Sequence, residues 1–235
     1  MASYVLVHGA WFGGWCWSGI GKRLRAAGHD VFAPTLTGVG ERSHLSGATV
    51  NLSTHVTDIG NLLRWEGLRD AVLVGHSYGG MVITGVADAD PERVAALVYL
   101  DAFVPVDGKA AFDYLDEPTR NYFVRSAAKH GGYAMPPPRI DGFNLRDRAL
   151  LPALGEKLTL HPLASWREAI ALGGAHEQVA RRAYGWANDY PRSPFTAFYE
   201  RLRETPGWET RELDSGHLVM YDAPDAVTEL LLAQG

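Results

Sequence analysis

Short apolar runs alternate with apolar stripes of helical period along this chain. The alternation is regular toward both ends and lost in the middle. Residues 4–7, Tyr-Val-Leu-Val, form a compact apolar run and read as a strand. The run ends in the glycine-rich stretch His8-Gly9-Ala10-Trp11-Phe12-Gly13-Gly14. Residues 15–27 read as a helix closed by Gly28, and residues 30–33 as a second strand stopped by Pro34. A loop rich in Gly, Thr and Ser follows. Asn51-Leu52-Ser53 then opens a helix to about Trp65, with Val56, Ile59, Leu62 and Leu63 at helical spacing. Residues 71–74 are a buried strand, 80–87 a buried helix and 94–100 another strand. Strands alternating with helices predict an α/β fold, a parallel sheet with helices on both faces.

The alternation breaks at about Ala102. Residues 103–180 contain no convincing buried strand. Phe112, Leu115, Tyr122 and Phe123 suggest short helices broken by Pro118. Pro136-Pro137-Pro138 must be extended, and residues 163–172 read as one more helix. The stretch is expected to be a helical insertion, a lid over the sheet, dividing a core made of residues 1–102 and 181–235. The core pattern resumes with a strand at 181–186, a helix at 193–203 and a strand at 208–213. A closing helix at 223–232 carries Pro224 in its first turn.

Composition narrows the function classes. With 235 residues there is ample material for a sizeable core. The net charge is −5 and no Lys/Arg run occurs, so a nucleic-acid partner is not expected. Cys16 is the one cysteine, which excludes an internal disulfide. The first residues lack a basic segment, and no apolar run has the length of a membrane span. A cytoplasmic protein without membrane contact is the expectation. No His-Glu-x-x-His or paired-cysteine spacing suggests a metal.

The candidate chemistry centres on Gly75-His76-Ser77-Tyr78-Gly79, set between the strand at 71–74 and the helix at 80–87. A strand, Gly-x-Ser-x-Gly, then a helix gives this motif its meaning: a tight turn that presents the serine. Ser77 is the candidate nucleophile. A hydroxyl needs a base. His217 follows the strand at 208–213 and precedes the last helix, so it faces the same edge of the sheet as Ser77. His8 and His76 lie in glycine turns and read as structural or pocket-wall residues. His29, His44, His55, His130, His161 and His176 have no such placement. The base needs a carboxylate to hold its tautomer. Two aspartates end strands at the correct edge: Asp101 after 94–100 and Asp189 after 181–186. Chain order favours Asp189, with Asp101 as the alternative; Asp214 is too close to His217 along the chain. Oxyanion donors are expected from the amide of Tyr78 and from the loop after the first strand, at Ala10. Trp11 and Phe12 are the candidate pocket-facing pair.

Four stretches together carry a family resemblance: residues 5–15, beginning Val-Leu-Val-His-Gly; residues 34–42, Pro-Thr-Leu-Thr-Gly-Val-Gly-Glu-Arg; residues 74–80; and Gly216-His217. The chain resembles the α/β-hydrolases, in the branch of plant methylesterases, hydroxynitrile lyases and bacterial carboxylesterases of pyrethroid-esterase type. The resemblance implies a cofactor-free serine carboxylesterase acting on a small to medium apolar or aryl ester through an acyl-enzyme. It also implies an acid 28 residues before the histidine, which is Asp189. Members of this branch are often dimers. A cyanohydrin lyase and a ligand-binding homologue are the rival readings. The related lyases carry a threonine beside the oxyanion loop and a lysine after the histidine. Gly9 and Leu218 stand there instead, and Leu218 is expected to make the pocket less polar.

Overall fold

The computed structural model describes residues 1–190 and 193–235. Six strands form one fully parallel sheet: β1 (Ser3–Val7), β2 (Asp30–Phe32), β3 (Ala71–His76), β4 (Val94–Leu100), β7 (Arg181–Ala187) and β8 (Trp208–Leu213). Their order across the sheet is β2-β1-β3-β4-β7-β8. Every residue of β3 is buried, as a central strand covered on both faces requires. The chain leaves β1 toward one edge for β2 and then returns to the other side for β3. The sheet order therefore reverses between β1 and β3, and a crevice opens at their carboxyl ends.

The helices form where capping and period agree. In α2 (Leu52–Trp65), the Asn51 side chain accepts from the Thr54 amide at 2.9 Å, and the Thr54 hydroxyl accepts from the Asn51 amide. The helix turns Leu52, Ile59 and Leu63 inward against α3 (Gly79–Ala89), which is buried along most of its length. On the other side α1 (Ser18–Ala26) packs against α9 (Pro224–Leu232). Two shorter helices, α7 (Thr196–Leu202) and α8 (Val219–Asp222), flank β8 in sequence.

Residues 103–180 contribute no strand to this sheet. They hold α4 (Glu117–Ala127), α5 (Leu151–Gly155), α6 (Ala164–Arg167) and an antiparallel ribbon of β5 (Ala134–Met135) and β6 (His161–Pro162). Three local expectations change here. The ribbon was not anticipated, because two-residue strands leave no alternation to read. Pro118 does not break a helix; it sits in the first turn of α4, whose cap Asp116 accepts from the Thr119 amide. The helix expected over 163–172 stops at Arg167, because tertiary contacts outbid helical period. Glu168 turns extended and its carboxylate accepts from the Ser53 amide and hydroxyl at the start of α2, while Ile170 exchanges backbone hydrogen bonds with the 108–109 turn. No helix among the described residues is long and apolar enough to cross a membrane.

Candidate active site

Ser77 occupies the turn between β3 and α3 with φ of +54°. A non-glycine residue in the left-handed region costs about 1–2 kcal/mol, so the surroundings must hold it there. The Ser77 amide donates to Leu100 O, and its carbonyl accepts from Gly80 and Phe103. The flanking glycines are required by crowding. A Cβ on Gly75 would stand 2.7 Å from Gly79 O, and one on Gly79 would stand 2.6 Å from Val7 O.

His217 enters from the loop after β8, its amide donating to Phe143 O. Its Nδ1 lies 2.6 Å from Asp101 Oδ2. Asp101, not Asp189, therefore meets the imidazole. The reason lies in the lateral order of the strands. Asp101 follows β4, the neighbour of β3, and takes φ of +42° with its amide tied to Gly185 O. This turn sends the carboxylate inward, where it has no solvent exposure and its Oδ1 accepts from the Ala187 amide. Asp189 follows β7, and its half-exposed side chain pairs with Arg146, which also holds Asp214.

Burial dominates the electrostatics. Desolvation pulls the His217 imidazole down to about 3 and pushes the Asp101 carboxyl well above the usual carboxylate range. Between them one proton serves the short contact. The imidazole is neutral at pH 7, and with Nδ1–H facing Asp101 its Nε2 lone pair is free to act as a base. Phe143, Tyr190 and Phe195 lie nearly parallel to the His217 ring with centroids 4.8–5.7 Å away.

Ser77 and His217 line one cavity of about 570 Å³. Its walls are mainly aromatic, from Trp11, Phe103, Tyr122, Phe123, Trp166 and Phe195 among others. Trp11 stands in the wall of this cavity. Phe12 does not: it is buried against Trp15 and Phe143. Leu218 is fully buried in the core and also stays out of the cavity. From residues 103–180, Tyr122, Phe123, Phe143 and Trp166 reach the cavity; helical period says which side chains are buried but not against what. Among the described residues, the amides of Ala10 and Tyr78 donate to no acceptor of the protein, which leaves both available to a ligand oxygen. No cluster of His, Cys, Asp and Glu side chains among these residues stands in a metal-holding arrangement.

His8 and His76 serve the framework. His8 Nδ1–H donates to Gly9 O while Nε2 accepts from the Leu36 amide, and His76 Nε2–H donates to His217 O. His55 likewise bridges Thr37 O and the Tyr78 hydroxyl. Burial lowers His8 to about 4 and holds His55, His76 and His161 neutral as well. A histidine lowered in the folded state binds its proton later than the unfolded chain does. Stability is therefore lost as pH falls below about 6.5, and for His8 the loss continues to about 4, amounting to roughly 3 kcal/mol. Asp101, shifted upward, offsets part of this. We expect the melting temperature to fall steeply between pH 6.5 and 4.5 in calorimetry; a flat profile across that window would contradict the buried neutral histidines.

Comparison with known proteins agrees with this architecture. The model of the Alpha/beta hydrolase family matches residues 4–230. A carbendazim hydrolyzing esterase from a Nocardioides species is 40% identical over 248 aligned positions, covering 100% of both chains. A pyrethroid hydrolase from Sphingobium wenxiniae is 37% identical over 107 residues, 44% of this chain and 37% of that one. Among solved structures, an extracellular alpha/beta-hydrolase from a Paenibacillus species superposes with a TM-score of 0.88 at 23% identity, over 100% of this chain and 99% of that one, a likeness of fold.

Proposed function

This chain belongs to the alpha/beta hydrolase family, and from that premise we propose that it is a serine carboxylesterase for small to medium apolar or aryl esters. The observation that carries the reading is the 2.6 Å contact between His217 and buried Asp101, beside a cavity that Ser77 also lines. His217 Nε2 takes the Ser77 proton as Oγ attacks the ester carbonyl. Asp101 holds Nδ1–H and stabilises the imidazolium that forms. The amides of Ala10 and Tyr78 receive the oxyanion. The alcohol departs with the proton from His217. Water, activated by the same imidazole, then releases the acid and restores Ser77.

The aromatic walls favour an aryl or bulky apolar group, and residues 103–180 act as the lid that selects it. The substrate is a small molecule and no cofactor takes part. The same reading takes the cytoplasm as the compartment, as a lone cysteine allows.

The lyase alternative lacks its two supports. A Cβ on Gly9 would stand 2.9 Å from both Ser77 Cβ and His76 Nδ1, so no hydroxyl-bearing side chain fits beside the nucleophile. Leu218 brings no positive charge for departing cyanide. The test offers p-nitrophenyl esters of increasing acyl length, aryl methyl esters, carbendazim and mandelonitrile to one preparation. Hydrolysis of aryl esters without benzaldehyde release above the blank is expected. Benzaldehyde release with no ester hydrolysis would assign a lyase, and turnover of nothing a binding protein.

A further inference from the structure

Trp11 lies in the left-handed region with φ of +67°, directly after the candidate oxyanion residue Ala10. Such a backbone persists only where its surroundings over-determine it. All three of its polar groups are held by residues of the ribbon or of the chain leading into it. The Trp11 amide donates to His161 Nδ1 at 3.3 Å, its carbonyl accepts from the Thr159 amide at 3.1 Å, and its indole Nε1–H donates to Met135 O at 3.2 Å. His161 is fully buried, and its ring also stands edge-on to Tyr78, the second oxyanion residue, with centroids 4.9 Å apart. One side chain therefore touches the residue after Ala10 and the residue after Ser77.

The tautomer of His161 is set by its other partner. Ser165 spends its one hydroxyl proton on Pro162 O at 2.8 Å. It must therefore accept from His161 Nε2–H at 3.0 Å. Nδ1 is then left with a lone pair, which is what the Trp11 amide needs. We propose that His161 is a positioning residue for ester hydrolysis: with Ser165 fixing its tautomer, it aims the Ala10 and Tyr78 amides at the oxyanion. This rests on the esterase reading above. Such aim matters only when negative charge develops, so its loss should appear in kcat rather than KM.

The test compares His161→Leu, which fills the space without an acceptor, with His161→Asn, whose Oδ1 can stand in for Nδ1. Ser165→Ala, which frees the tautomer, serves as a milder variant should His161→Leu not fold. Each is assayed with p-nitrophenyl acetate and with phenylboronic acid, which mimics the tetrahedral species on Ser77. His161→Leu is expected to lower kcat by about 10-fold to 100-fold and to weaken the boronate to a similar degree, with KM changed less than about twofold. His161→Asn should recover most of the loss, and Ser165→Ala should show a smaller change in the same sense. Unchanged kcat and boronate affinity in His161→Leu would overturn the proposal. So would parallel losses of kcat, KM and melting temperature in the Leu and Asn variants, which mark a packing role. A wild-type chain without ester turnover would overturn the esterase reading and this proposal together.

Discussion

Ser77→Ala is expected to lower ester turnover by about five to six orders of magnitude while leaving the melting temperature within a few degrees of wild type. The size follows from the role. Without Oγ no acyl-enzyme forms, and only direct attack by water remains, assisted by the oxyanion amides. The small thermal effect follows from the turn. The elbow is held by the backbone bonds of Ser77 to Leu100, Gly80 and Phe103, and by the close approach of Gly79 to β1. None of these uses the hydroxyl. Rates and calorimetry on the same preparation check both halves. Wild-type-like turnover in the purified variant would remove the serine mechanism.

Asp101→Asn is expected to cost about 10⁴-fold in kcat, against less than about threefold for Asp189→Asn. An asparagine at 101 can donate to His217 Nδ1, which moves the ring proton to Nε2. The lone pair that should receive the Ser77 proton is then gone, although the shape is kept. Position 189 offers no such lever. Its carboxylate is half-exposed and its partner Arg146 retains Asp214, so an exposed contact alone is lost. Steady-state kinetics on the two variants decide between the acids; a dead Asp189 variant beside an active Asp101 variant would return the role to Asp189.

Those two aspartates also mark where reading the chain stops. Each follows a strand that ends at the same edge of the sheet, and chain order alone points to Asp189. What separates them is lateral: β4 lies beside β3, and the φ of +42° at Asp101 turns its side chain inward. Neither fact has a local signature. The serine elbow does have one, because the steric demand of the turn is written in Gly75 and Gly79 themselves. His217 was legible for a related reason, since a loop after a late strand can reach only one edge of the sheet. The core elements came through with end shifts of a residue or two for the strands. The stretch 103–180 came through only in part, as short helices outside the sheet. Its helix at 164–167 is cut short by Glu168 reaching across to Ser53, and its ribbon strands are too short to show a period. Phe12 and Leu218 misled because apolar character predicts burial without saying whether a ring faces a cavity or the core. Nothing in the sequence placed His161 beside Ser77; its proposed role emerges only where a residue 150 positions away needs an acceptor.

Covalent trapping tests the account most directly. The wild-type protein is treated with an aryl fluorophosphonate, and intact-mass measurement and peptide mapping follow the label while residual ester hydrolysis is assayed. The account predicts one adduct per chain, on Ser77, with activity lost in proportion to labelling and no adduct in Ser77→Ala. Full ester hydrolysis by a chain whose Ser77 is fully labelled, or an inactivating adduct on any other residue, would contradict it.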